Sequence, residues 1–355
     1  MVNNKNLQYG VEFIEGVNSN GEFCPPKANT LGINLKPYKI VKNGYFVYNP
    51  SRLNIGSLAF RTGGLCIVSH LYVVFQLNEL GREKLLPEFL LLYFKRTEFS
   101  RLIDYLNFGS QRPEFNFFDL SEIKIPLPDM DTQQKLVDVY YGLKELAEQN
   151  EDLIKPLTEA CQAYIVNCKK KYSEIEVGEF IELYDKKNNE AKNLEFYGIN
   201  KDKSFMPTIA STNGLDNSKY KMVESGVFVF SGMQTGRDIC IRLALYSKDV
   251  PILVSPAYTT FRVKDQSKIL PQYLFLQFNR FEMDRYGWFL SDSSVRSNLD
   301  WDEFCRIKVP FPPLDVQQAI VNIYNCAEEA KKIAEEARLQ MKTLSPALVQ
   351  KAVNG

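Results

Sequence analysis

The chain repeats itself. Ile123-Lys-Ile-Pro-Leu-Pro-Asp-Met-Asp-Thr-Gln-Gln134 returns as Ile307-Lys-Val-Pro-Phe-Pro-Pro-Leu-Asp-Val-Gln-Gln318, with Pro126 recurring at Pro310, an offset of 184 residues. The same offset pairs Leu86-Pro-Glu-Phe-Leu90 with Leu270-Pro-Gln-Tyr-Leu274, and Ser110-x-Arg112 with Ser294-x-Arg296. Upstream it drifts by a residue or two, as loops of unequal length require: Tyr38-Lys-Ile-Val41 echoes Tyr220-Lys-Met-Val223, and Ser69-x-x-Tyr72-x-x-Phe75 echoes Ser255-x-x-Tyr258-x-x-Phe261. A period this long makes each copy a domain rather than a solenoid unit.

Within a copy the pattern is α+β. Runs such as 44–48, 65–75, 226–230 and 252–263 are rich in β-branched and aromatic residues and bounded by Gly, Pro, Asn or Ser, which reads as strand. Tyr38, Tyr45, Tyr48, Tyr220, Phe228 and Phe230 recur at strand spacing and are read as core. Pro87 and Pro271 each open a helix. The Pro-x-Pro pairs at 126–128 and 310–312 are extended and end each globular part.

Beyond that punctuation the apolar period becomes 3.5 residues. Ile320, Ile323, Ala327, Ala330, Ala334, Ala337, Met341, Leu344 and Leu348 form one seam; Leu136, Val139, Leu143, Leu146, Asn150, Leu153, Leu157, Ala160 and Tyr164 form the other. Two helices of roughly 35 residues, about 50 Å each, are expected to pack antiparallel about a pseudo-twofold axis, kinked or broken near Pro156 and Pro346. Such a pair would hold the two domains apart as a spacer; simple core formation or homodimerisation would use the same seams. The layout is therefore a first domain over 1–130, a spacer helix over 131–171, a second domain over 172–313 and a second helix over 314–355.

The duplicated motif, with a Gly/Ser-rich turn (Gly109-Ser110-Gln111-Arg112) before it and a long amphipathic helix after it, resembles the end of a target-recognition domain in a Type I restriction-modification specificity subunit. The order domain, helix, domain, helix extends the resemblance over nearly the whole chain. It implies a non-catalytic subunit in which each domain reads one half of a split double-stranded DNA target. It further implies that two methyltransferase subunits, carrying S-adenosylmethionine, dock along the helices and that a restriction subunit can join. One departure stands out: Tyr172 to Asp185 has no counterpart ahead of Asn6. Aligning Asn6-Leu7 with Asn193-Leu194 leaves the first copy short by roughly the first 20 residues of the plan.

Composition neither supports nor excludes nucleic acid. Lys plus Arg and Asp plus Glu stand at 43 each, so any DNA contact must come from local groups. Base edges and phosphates are met by Arg, Gln, Asn and Ser, which singles out Ser110, Gln111 and Arg112 with Ser294 and Arg296. A polar segment that differs between the copies adds Arg52 and Arg61 in the first and Gln234, Arg237 and Arg242 in the second.

The competing readings are a stand-alone nuclease or methylase and an interaction protein whose readers no longer bind DNA. Cys24-Pro-Pro-Lys27 fails as an adenine-methylase turn, and no phosphate-binding Gly-Lys-Ser/Thr loop occurs. Asp129-x-Asp131-x-x-x-Lys135 has a nuclease-like look, but Asp131 and Asp315 sit where a helix begins and are read as caps. His70, the sole histidine, falls in an apolar run and is read as structural. Seven scattered cysteines give no zinc or disulfide spacing. No window of about 18 apolar residues is present and no signal peptide opens the chain, so a cytoplasmic protein is expected.

Overall fold

The computed structural model describes residues 2–27, 29–107, 114–208, 215–233, 239–292 and 297–354, with side chains described to residue 343. It divides into two compact units, one of residues 1–150 with 332–355, the other of residues 151–331.

In the first unit the strands are β1 (Gly16–Val17), β2 (Phe23–Cys24), β3 (Lys39–Val41), β4 (Phe46–Tyr48), β5 (Leu58–Phe60), β6 (Cys66–Val68) and β7 (Val73–Phe75). Four short helices follow, α1 (Glu79–Lys84), α2 (Pro87–Phe94), α3 (Thr97–Leu106) and α4 (Phe117–Glu122), and then the long α5 (Met130–Lys171), which passes into the second unit at residue 151. The second unit contains β8 (Glu174–Glu176), α6 (Val177–Phe180), β9 (Ile181–Leu183), β10 (Tyr197–Ile199), β11 (Phe205–Pro207), β12 (Lys221–Val223), β13 (Val227–Ser231), β14 (Arg242–Leu245), β15 (Ile252–Val254) and β16 (Thr259–Val263). It continues with α7 (Pro271–Phe278), α8 (Phe281–Leu290), α9 (Trp301–Arg306) and β17 (Lys308–Pro310), then the long α10 (Leu314–Asn354), which passes into the first unit at residue 332.

The two plans coincide. β3 pairs with β6 as β12 pairs with β15, and β4 lies between β5 and β7 as β13 lies between β14 and β16. Strand alternation feeds two cores at once. Phe46 and Tyr48 point into the helical layer while Val47 joins a second cluster with Val41 and Val74; Phe228 and Phe230 are likewise split from Val227 and Val229. Phe46 stacks on Phe75 at 4.9 Å, and Phe228 on Phe261 at 4.8 Å. Each fully buried ring of this kind contributes about 2 kcal/mol of transfer free energy.

Several expectations are corrected. The run 65–75 is two strands in different sheets, separated by a turn in which Tyr72 N–H donates to the Ser69 carbonyl (3.0 Å); Tyr258 and Ser255 repeat it (3.1 Å). His70 sits exposed on that turn rather than inside a strand. The copies also align earlier than Asn6. Asn4 and Asn188 are both buried, their N–H groups donating to the carbonyls of Tyr38 and Tyr220, and three residues on Leu7 and Ala191 share a φ of 50°. The stretch without a counterpart is therefore Tyr172–Tyr184.

Neither proline breaks its helix: α5 runs through Pro156 and α10 through Pro346. A penalty of about 3 kcal/mol per interior proline is spread over elements of 42 and 41 residues. Within each unit, the opening part of one helix meets the closing part of the other. Cys161 Sγ lies 3.8 Å from the Ile320 carbonyl in the second unit; Tyr140, Arg338 and Met341 line one cavity in the first. On α10 the expected stripe of Ile320, Ala327, Ala330, Ala334 and Ala337 is buried, with Ile323 and Met341 partly so; the side chain of Leu344 lies outside the described residues. On α5 the stripe runs one residue later than expected, through Val137, Ala147, Cys161, Ile165 and Cys168. Leu136 and Leu143 are partly buried, while Leu146 and Leu153 are 43% and 50% exposed. Spacing of 3.5 residues counted from Leu136 puts the leucines on the seam; close helix approach favours the small Ala and Cys beside them.

Candidate functional site

In both units the segment that leaves the central strand is clasped to the residues just after the Ser-x-Arg motif. Phe115 N–H donates to the Pro50 carbonyl (3.0 Å), and at the matching place Leu299 N–H donates to the Gly232 carbonyl (2.7 Å). Gly232 is required by that approach, since a Cβ there would lie 2.5 Å from the Leu299 carbonyl oxygen. Met233 and Asn298 form an antiparallel bridge beside it. Asp292 closes the base of this loop: its carboxylate accepts from Asn298 N–H (2.9 Å), and its carbonyl accepts from Ser297 Oγ (2.9 Å). In the first unit Tyr48 adds a buried hydroxyl bond to the Phe115 carbonyl (3.0 Å), and burial pushes its phenol pKa up.

The geometry thus brings together the flanks of the two segments singled out by sequence. Ser110, Gln111, Arg112, Gln234, Arg237, Ser294 and Arg296 themselves lie outside the described residues. Arg52 is exposed in a 3-10 turn, Pro50–Ile55, capped by Asn49, whose Oδ1 accepts from Ser51 N–H (3.1 Å). Its side chain lines a cavity of about 500 Å³ with Cys24, Lys27, Tyr38 and Tyr72, and no ion pair of Arg52 is found among the described residues. Arg242 is half-buried at the start of β14, opposite Ser231 in register.

Arg61 is engaged within its own unit. Its guanidinium grips Glu15 through both terminal nitrogens (2.8 and 2.9 Å), donates from Nε to the Gly64 carbonyl (2.5 Å) and lies 4.7 Å from the Phe23 ring centre. These contacts hold β1–β2 against β5.

Two sets of polar residues were missed. Gln133 is fully buried; its Oε1 accepts from Leu86 N–H (2.9 Å) and its Nε2 donates to the carbonyls of Lys84 (2.9 Å) and Pro128 (2.8 Å). Gln317 repeats this with Leu270, Lys268 and Pro312, each at 2.9 Å. The duplicated Gln-Gln was visible in the sequence, but its role depends on main-chain atoms far off in the chain. The second set is the ion pair of Lys203 and Asp284 (2.5 Å), with side chains 4% and 15% exposed. Asp284 also accepts from Ile241 N–H (2.9 Å), fixing the chain just before β14.

The nuclease-like acids are committed elsewhere as well. The cap of α5 is Asp129, not Asp131: Asp129 accepts from Thr132 N–H (2.8 Å) and from its hydroxyl (2.9 Å), which holds its carboxyl below the usual range. Asp131 pairs with Lys135 one turn on (2.6 Å), and Asp315 lies in the first turn of α10. Burial pushes the Cys66 thiol up to about 12. Among the described residues no three His, Cys, Asp or Glu side chains converge as a metal site, and no helix is long and apolar enough to cross a membrane.

The model of the family described as Type I restriction modification DNA specificity domain matches the chain twice, over residues 2–156 and 169–336. The chain is 29% identical over 130 residues to the Type I restriction enzyme HindI specificity subunit of Haemophilus influenzae; the match spans 35% of this chain and 28% of that protein. Among solved structures it resembles the Type-I restriction-modification system S subunit from M. genitalium, with a TM-score of 0.58 at 14% identity over 89% of this chain and 84% of the other. The HsdS subunit from Thermoanaerobacter tengcongensis aligns at 16% identity over 96% and 88% of the two chains, with a TM-score of 0.46.

Proposed function

The chain belongs to the Type I restriction modification DNA specificity family, and from that premise we propose that it is the sequence-reading subunit of a Type I restriction-modification complex. Each unit reads one half of a bipartite double-stranded DNA target. The long helices fix the number of unread base pairs and dock two methyltransferase subunits, which carry S-adenosylmethionine; a restriction subunit joins the assembly in the cytoplasm. This chain itself performs no chemistry.

The observation that carries the reading is the clasp repeated at Pro50–Phe115 and Gly232–Leu299. An identical main-chain joint presents segments of different sequence, which is what two readers of unlike half-sites need. In the first unit Arg52 is the described cation exposed at that joint. If it reaches a base edge, Arg52→Ala costs about 1–3 kcal/mol of binding and relaxes specificity at one position; if it meets a phosphate, the loss is uniform over sequences and the salt slope falls by about 0.9.

The test is co-expression with a Type I methyltransferase subunit, followed by mapping of methylated adenines. Methylation confined to one split motif, and present only when both proteins are, is the expected result. Methylation by this chain alone with S-adenosylmethionine overturns the non-catalytic reading. A stable complex that methylates nothing sequence-specifically overturns the reading role and leaves an interaction protein.

A further inference from the structure

α3 and α8 stand at the same place in the two units, each following the helix opened by Pro87 or Pro271 and each ten residues long. Their inward faces are set in one register: Phe99 and Ile103 are buried in the first unit, Met283 and Gly287 at the matching places in the second. Gly287 brings α8 so close to the chain ahead of β14 that a Cβ there would lie 2.4 Å from Cγ1 of Ile241. Each helix is also fastened by an acid. Asp104 accepts from Asn54 Nδ2 (2.8 Å), which ties α3 to the 3-10 turn that carries Arg52. Asp284 pairs with Lys203 (2.5 Å) and accepts from Ile241 N–H (2.9 Å).

The outward faces carry a pair of residues that recurs at the offset of 184. Arg101 and Tyr105 in the first unit answer Arg285 and Phe289 in the second, four residues apart and so on one side of the helix. Both arginines are exposed, and the rings are 78% and 79% exposed. Among the described residues neither arginine enters a hydrogen bond, ion pair or ring contact. One exposed ring needs no explanation. Here, though, the buried side of the helix has changed from Phe and Ile to Met and Gly, while the solvent side has kept its cation and its ring, the reverse of what packing holds constant. Glu98 and Glu282 are also shared, but they lie in the first helical turn, where the backbone N–H groups favour an acid.

Resting on the DNA-reading role, we propose that each pair is a sequence-independent anchor on the duplex: the guanidinium of Arg101 or Arg285 binds a backbone phosphate, and the ring of Tyr105 or Phe289 lies on the adjoining deoxyribose. A guanidinium supplies the charge and the forked donors that a phosphate takes. The ring has a hydroxyl in one copy and none in the other, so its shared contact is apolar and not a hydrogen bond to a base edge. The C–H face of deoxyribose is the apolar surface that adjoins every phosphate. Tyr105 and Phe289 stand in the last turn of their helices, five residues ahead of Ser110 and Ser294 in the chain. A shared grip beside unshared reading segments is what two units on unlike half-sites require.

The test uses the full chain purified in complex with a Type I methyltransferase subunit. A duplex carrying the split motif that adenine mapping returns is compared with a duplex lacking it, and binding is read by fluorescence anisotropy over a series of salt concentrations. All four side chains are exposed, so the fold does not depend on them. Arg101→Gln with Arg285→Gln weakens binding to both duplexes by the same factor, roughly tenfold at low salt, and lowers the salt slope by about 0.9 for each arginine. Arg101→Lys with Arg285→Lys keeps the slope. Tyr105→Ala with Phe289→Ala weakens binding several-fold at an unchanged slope, and Tyr105→Phe leaves it as it was. The methylated motif is the same in every variant. An unaltered slope in the glutamine pair, a loss confined to the motif duplex, or a changed motif overturns the anchor. So does loss of the methyltransferase subunit from the variant complex, which assigns the surface to a protein contact. Failure of the unaltered complex to bind either duplex sinks the reading role and the anchor with it, and is told apart because no variant is needed to see it.

Discussion

Two sheets built on the same central strand end differently. Among the described residues the order in the second unit is β14-β13-β16-β9, and in the first it is β5-β4-β7. The stacked phenylalanines, the proline-opened helix and the buried glutamine are the same in both, so the interior frame does not depend on the closing strand. What the closing strand changes is how much of that frame meets water. It also shows which interactions define the module and which merely finish it.

The largest expected difference is at the stacked ring next to the closing strand. Phe261→Ala removes a fully buried ring and should cost about 4 kcal/mol, while Phe75→Ala, at a partly exposed ring, should cost about half as much. Trp288 and Trp301 are the chain's only tryptophans and both lie in the second unit, so their emission during urea unfolding reports that unit alone; amide exchange in β4 reports the other. Equal losses would mean that β7 is covered in solution, and the contrast between the units would fail.

The hairpin β10–β11 offers the next comparison. Lys203, at a φ of 57°, occupies the place of Gly21, at 72°, and its partner Asp284 occupies that of Ser100. Lys203→Met leaves a buried carboxylate unpaired and should cost about 3 kcal/mol. Transplanting the first unit's solution, Lys203→Gly with Asp284→Ser, should cost clearly less, because no charge is left behind and glycine suits the left-handed backbone. A double variant as unstable as the single would show that the pair, not the backbone, holds this hairpin.

A smaller effect, about 2 kcal/mol in each unit, is expected from Gln133→Leu and Gln317→Leu, which leave one amide and two carbonyls without partners. Here the prediction is equality, and a marked difference between the two would break the symmetry of the frame. The smallest is a pH effect confined to the start of α5. The Asp129 carboxyl is held below its ordinary value, so the cap stabilises above the ordinary carboxylate range and is lost as pH falls through the lowered value. α10 starts after Pro313, whose side chain offers no acceptor. Exchange of the Thr132 amide should accelerate in acid, below about pH 4, and Asp129→Asn should flatten that dependence.

The duplicated plan was legible because Pro-x-Pro, Gln-Gln and the stacked aromatics sit at fixed offsets, and identical physics acts on both copies. Three things were not. The run 65–75 is apolar on both sides of Ser69 and His70, so periodicity reads it as one strand although Ser69 turns it between two sheets. Strict 3.5-residue spacing puts the α5 stripe on Leu146 and Leu153, whereas the close approach that Ala147 and Cys161 permit puts it one residue later. Arg61 looked available in the sequence, and only the fold brings Glu15 and Phe23 to it. Sites made by main-chain clasps, such as Pro50 to Phe115, leave no side-chain signature to find.

The glutamine joint has one more consequence. Gln133 and Gln317 hold only amide and carbonyl groups, none of them a side chain. A fastening of this kind accepts any residue at 84 and 128 or 268 and 312, and any but proline at 86 or 270, provided the backbone keeps its path. Segments of quite different sequence can therefore precede either long helix without refitting the joint that anchors it.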